Sequence, residues 1–166
     1  MVLGMTLSAF TRVHVIISLI AVVSGLLTVS GMARGQRTAG WTGLFLLTTV
    51  LTSVTGFLFP FDHLLPSHQV GVVSLVVLAV VLLGRYGTGL SGPWRWIYPL
   101  GCVIALYLNV FVLVVQLFTK TPALATLAPT QSEAPFAVTQ LLVLALFATL
   151  GWAALRGFQP APVGGR

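Results

Sequence analysis

Acidic side chains are almost missing from this chain: Asp62 and Glu133 are the only two among 166 residues. That scarcity leaves little for paired-carboxylate acid–base chemistry, or for proton-coupled transport through a buried acid. Cysteine is scarcer still. Cys102 stands alone, which excludes an internal disulfide, a CxxC pair and a thiolate metal site, and it reads as a small hydrophobe in an apolar run. No GxSxG, HExxH or P-loop spacing occurs, so nothing points to a soluble-type hydrolase or kinase, and no catalytic residue is assigned. Charge of either sign is thin: 6% of residues are charged and 57% are hydrophobic. Soluble domains carry about 25% charged residues. That balance excludes a water-soluble fold.

What the chain does have is long apolar runs. Five stretches, at about 13–33, 41–59, 69–84, 97–118 and 134–155, each approach the ~20 residues that an α-helix needs to cross ~30 Å of hydrocarbon. The expectation is an all-α integral membrane bundle of five transmembrane helices. It forms a single domain over residues 1–158, with a disordered tail rich in Pro and Gly at 159–166. Arg12 ahead of the first stretch resembles the start of a signal peptide, but the run is long enough to span and reads as an uncleaved helix. Ser67 is a candidate cap for the third helix, and Ser132 with Glu133 a candidate start for the fifth.

The eight basic residues are shared out unevenly. Arg34, Arg37, Arg85, Arg95, Arg156 and Arg166 fall at the first and third junctions and the C-terminus, whereas only Arg12 and Lys120 fall on the other side. Positive charge stays cytoplasmic, so six against two places the N-terminus outside and the C-terminus inside a bacterial inner membrane. The net charge of +6 is carried by single residues scattered over short loops, with no basic run to follow a phosphate backbone. Nucleic acid is excluded as a partner. The bases act as topology determinants and lipid-headgroup contacts in the bilayer.

Polar side chains inside apolar helices are costly unless paired, so they mark either helix–helix joints or a site. Asn109 and Gln116 are two turns apart on one predicted helix face, which is expected to look inward. Thr48, Thr52 and Thr55 form a stripe next to Gly56, while Gln140 lies early in the fifth helix. With N-out topology, His14, His68, Gln116 and Gln140 all fall between the external surface and the midplane, with Asp62, His63 and Glu133 above them. The cytoplasmic half reads as almost wholly apolar. For the threonine stripe the structural explanation carries more weight, because hydroxyls in membrane helices usually bond back to their own helix. Asp62 suits a turn and Glu133 a helix N-terminus.

Two histidines at one depth on two helices meet the first need of a b-type haem, which is a pair of neutral imidazoles approaching the iron from opposite faces. On this reading His14 and His68 are the axial ligands and the metal's only protein donors. Gly56 and Gly71 leave room for the macrocycle, and Arg12 or Lys120 meets its propionates. His63 with His68, Asp62 and Glu133 is a weaker candidate for a divalent metal, because Pro66 interrupts the spacing of the two histidines.

The strings TSVTGFLFPF at 52–61, ALYLNVFVLVVQLF at 105–118 and APTQSEAPF at 128–136 resemble a group of small multi-spanning bacterial membrane proteins, over most of residues 13–155. That resemblance implies a membrane bundle and no particular activity. The helix-borne histidines are also distantly similar to b-type cytochrome bundles, although three histidines are too few for the two-haem members. Two functional expectations follow. One is a small membrane redox protein holding one b-type haem at a periplasm-facing polar site. The other is a non-catalytic subunit or assembly partner of a larger membrane complex.

Overall fold

A computed structural model of the chain describes residues 2–36, 38–60 and 66–159, and among these the regular structure is helical, with no strand. The helices are α1 (Leu7–Ala33), α2 (Ala39–Gly56), α3 (Pro66–Leu82), α4 (Trp94–Lys120), α5 (Pro122–Leu127) and α6 (Ala134–Gly157). A single π-helical turn, Leu83–Gly87, extends α3. Five segments are long and apolar enough to cross a membrane: α1, α2, α4, α6 and the run from His68 to Gly87. The expected disordered tail, apart from Gln159, lies outside the described residues.

The helix boundaries differ from the apolar runs, and local bonds explain why. α1 begins at Leu7 because the Thr6 hydroxyl accepts the Ala9 N–H at 3.3 Å, capping a first turn that Thr11 and Arg12, in the second turn, separate from the apolar run. It ends in a Schellman arrangement: Gly35 takes φ +67°, the Gln36 N–H donates to Gly31 O, and the Gly35 N–H donates to Met32 O. α2 stops at Gly56 rather than at residue 59, tightening through Phe57 N–H to Val54 O and Leu58 N–H to Thr55 O. Phe57 and Phe59 therefore leave the helical spacing. α3 starts at Pro66, so Ser67 falls within its first turn and not at a cap. The link between α4 and α6 contains α5. Glu133 does occupy the N-cap of α6, but its carboxylate reaches backwards to the Thr130 and Ser132 N–H groups instead of forward into the helix.

Neighbouring helices pack in the cyclic order α1, α2, α3, α4, α6, and α1 also meets α4 across the middle. Gly25 makes that central approach possible. A Cβ there would lie 2.5 Å from Leu106 Cδ1 of α4 and 2.8 Å from the Phe45 ring of α2. The main core gathers Val29, Phe45, Leu78, Cys102, Leu106 and Phe147, all from the five long helices. A smaller cluster of Val114, Phe118 and Ala128 seals α4 against α5 and α6 at the other end. The outward faces are apolar as well: Leu141 and Leu142 of α6 keep 63% and 67% of their surface exposed. An exterior as apolar as the core is consistent with a multi-pass membrane protein.

Candidate functional site

The histidine-bearing end of the bundle is organised around the last turn of α2. His14, half-buried on α1, places Nδ1 2.8 Å from the Thr55 hydroxyl. That hydroxyl has one hydrogen, and it lies 2.6 Å from the carbonyl of Leu51, an atom that can only accept. The hydrogen is thus committed to Leu51, Thr55 Oγ1 receives from His14, and the His14 proton sits on Nδ1. In the neutral ring Nε2 is then left with its lone pair outward, and no described residue bonds it. A second partner that fixes the tautomer in this way is what orients a ligating or proton-accepting imidazole. Thr55 belonged to a stripe that the sequence assigns to back-bonding. It does bond back, and that bond is what makes it an acceptor for His14.

Aromatic rings close the site. Phe59 meets His14 edge-on at 5.1 Å between ring centroids and also touches Phe10 at 4.9 Å. His68, buried at the start of α3, lies 5.7 Å from the ring of Phe57. Both histidines therefore stand beside the C-terminal end of α2. The space expected between them is another matter. Gly71 faces the Phe57 ring, which a Cβ would approach to 3.0 Å, so this glycine admits a phenylalanine rather than a macrocycle. Gly56 is more open, with only His14 Cε1 within 4 Å of a Cβ position.

The remaining predicted site residues divide. The Asn109 amide donates to Thr49 Oγ1 at 3.2 Å, joining α4 to α2, and the Gln140 amide donates to Phe111 O at 3.3 Å, joining α6 to α4. Gln140 Oε1 is buried without a bonding partner. Gln116 corrects the expected inward face: it is exposed. In the last turns of α4 the covering neighbours are α5 and α6, so Val114 and Phe118 turn inward. Phe118 lies about two and a half turns from Asn109, on the opposite side of the helix. Arg12 is exposed with Nε bonded to its own helix at Ser8 O, and Lys120 is exposed at the end of α4. Glu133 accepts from the Thr130 hydroxyl and from the Thr130 and Ser132 N–H groups. Slight desolvation raises its carboxyl, but these bonds outweigh that and hold it below the usual carboxylate value. Asp62 and His63 lie outside the described residues, and among those described no three His, Cys, Asp or Glu side chains gather as a metal set.

Residue counting misses two joints. Ser53 of α2 donates to Ser74 of α3 at 3.3 Å inside the bundle. At the opposite end, Arg85 donates to the hydroxyl of fully buried Tyr98 at 2.9 Å, so the half expected to be almost wholly apolar contains a guanidinium anchored to the core. Comparison with protein families, curated proteins and solved structures finds no match.

Proposed function

We propose that this chain is a multi-pass protein of a bacterial inner membrane, with its N-terminus outside and its C-terminus in the cytoplasm. Its working site is then the periplasm-facing end of the bundle. The atom that does the binding is Nε2 of His14, and the observation that supports this is the Leu51–Thr55–His14 chain of hydrogen bonds. The six-to-two division of basic residues supports the orientation. One b-type haem is the ligand class we assign, with membrane electron transfer as the role. The bound iron would supply the one-electron chemistry. His14 would hold the iron: its Nδ1–H is bonded to Thr55, it keeps a lone pair on Nε2, and the Phe59 ring packs edge-on against it. His68 would hold the iron only if Phe57 moved, because that ring fills the space beside Gly71 and packs 5.7 Å from the His68 ring.

A visible absorption spectrum of protein purified from haem-replete cells tests this. We expect a Soret band that His14→Ala abolishes and His63→Ala leaves unchanged. Preparations without any Soret band end the haem reading. A second reading, a non-catalytic subunit or assembly partner of a membrane complex, is favoured by the way Asn109, Gln140, Ser53 and Ser74 are tied across helices. Those residues act as joints, and the apolar exterior is then free to pack on other subunits. Stoichiometric co-purification in mild detergent, without a Soret band, is its signature.

A further inference from the structure

The end of the bundle away from the histidines carries its own arrangement. Three arginines from three helical segments each stack over an aromatic ring. Arg85 in the π-helical turn lies 5.5 Å from the Tyr86 centroid, Arg95 in α4 lies 5.9 Å from Trp96, and Arg156 in α6 lies 4.1 Å from Trp152. The rings are more than half exposed; Arg95 and Arg156 are exposed with them, while Arg85 is half-buried. Exposed aromatic rings of this kind suit the membrane–water boundary, and an arginine stacked on one is held at headgroup height with its planar fork available. Arg85 is fixed further by its bond to buried Tyr98, which uses only part of the guanidinium's donor capacity. Glu133, the one acid among the described residues, is at the opposite end of the bundle. No described carboxylate competes for these cations.

We propose that this rim binds anionic phospholipids, each of the Arg85, Arg95 and Arg156 guanidiniums taking a headgroup phosphate while the acyl chains lie on the apolar faces beside Tyr86, Trp96 and Trp152. It goes beyond the histidine site and does not depend on what that site binds. Guanidinium forks match phosphate oxygens bidentately, and the stacking rings restrict the arginines before the lipid arrives.

The test uses full-length protein in nanodiscs of phosphatidylcholine alone or mixed with phosphatidylglycerol, followed by native mass spectrometry of the lipids that stay bound. We expect phosphatidylglycerol to be retained preferentially and to weaken by about fivefold for each arginine changed to Gln at positions 85, 95 and 156. A control, Arg12→Gln with Lys120→Gln, removes two charges at the other end and is expected to leave retention unchanged. Arg95→Gln with Arg156→Gln spares the Arg85–Tyr98 bond, so the proposal stays testable if the triple variant fails to fold. Millimolar inorganic phosphate is included in one arm, and displacement of the lipid by phosphate would mean a simple anion site and overturn the lipid assignment. Equal retention of the two lipids, or equal loss in the control, would overturn the site. Protein that does not enter nanodiscs at all would defeat the membrane reading with it.

Discussion

Replacing Thr55 by Val keeps the shape of the side chain and removes the one atom that fixes the His14 tautomer. The hydroxyl accepts from Nδ1 at 2.8 Å and donates to Leu51 O at 2.6 Å; both bonds go together in the variant. The bond back to Leu51 serves only α2's own helix, so its loss does not reach the imidazole. The bond to Nδ1 does. A neutral hydrogen bond of this kind is worth about 1 kcal/mol net, which corresponds to roughly a fivefold shift in the ratio of the two neutral tautomers. Long-range proton–nitrogen spectra of protein labelled with 15N-histidine read this directly, with His14→Ala assigning the signal. We expect the wild-type His14 to show a protonated Nδ1 and a pyridine-like Nε2, Thr55→Ser to preserve that pattern, and Thr55→Val to mix the two forms. A wild-type ring protonated at Nε2, or a Thr55→Val spectrum identical to the wild type, would refute the derivation and with it the assignment of Nε2 as the binding atom.

Three other outcomes are expected. Gly157→Ala would drive a Cβ to 2.5 Å from Met32 O and 2.6 Å from Ala33 C, with Ala33 O nearer still; because backbone cannot swing aside, a loss of about 2–3 kcal/mol is expected in detergent unfolding. Gly43→Ala, whose Cβ would meet nothing within 4 Å, should instead gain about 0.5–1 kcal/mol, and equal responses would contradict the packing of α1 on α6. A double-mutant cycle of Asn109→Leu with Thr49→Ala should give a coupling of about 0.6 kcal/mol, and strict additivity would mean that the 3.2 Å contact does not hold α4 to α2. Cysteines introduced beside Asp62 and Thr126 should react with an impermeant thiol reagent in spheroplasts, while cysteines beside Gln36 and Gly89 stay unlabelled; the reverse pattern would invert the orientation.

The five long helices were legible because each carries an apolar run near the ~20 residues that a spanning helix needs. Boundaries were less so, since they depend on single bonds that hydropathy does not register. The Thr6 cap adds nearly two turns to α1, and the early stop at Gly56 shortens α2. That early stop has the larger consequence. It frees Phe57 and Phe59 from helical spacing, and these rings, not the glycines, decide what stands beside His68 and His14. A glycine in a sequence signals that something approaches closely. It does not say whether the visitor is a ligand or a neighbouring phenylalanine, and at Gly71 it is Phe57.

Gln116 and Gln140 show the same limit from the polar side. Both were placed in the external half by counting along their helices, and both amides looked costly enough to demand partners. Gln140 is buried and does find one, at Phe111 O, because α6 lies directly against α4 at that height. Gln116 faces outward because the last turns of α4 are covered on the opposite side by α5 and α6, and α5 is a helix that no apolar run announces. The cost of burying a polar group therefore constrains Gln140 and spares Gln116. In the membrane bundle proposed above, an exposed amide near the end of a 27-residue helix would reach the headgroup layer, where water satisfies it. Helix length beyond the ~20 residues needed to span is what makes that escape available. On this argument the polar residues most worth pursuing are those caught at depth with a bonding group still unspent. Gln140 Oε1 is one of them in the described fold, and Thr28 and Thr52, whose buried hydroxyls also lack a bonding partner, are the others.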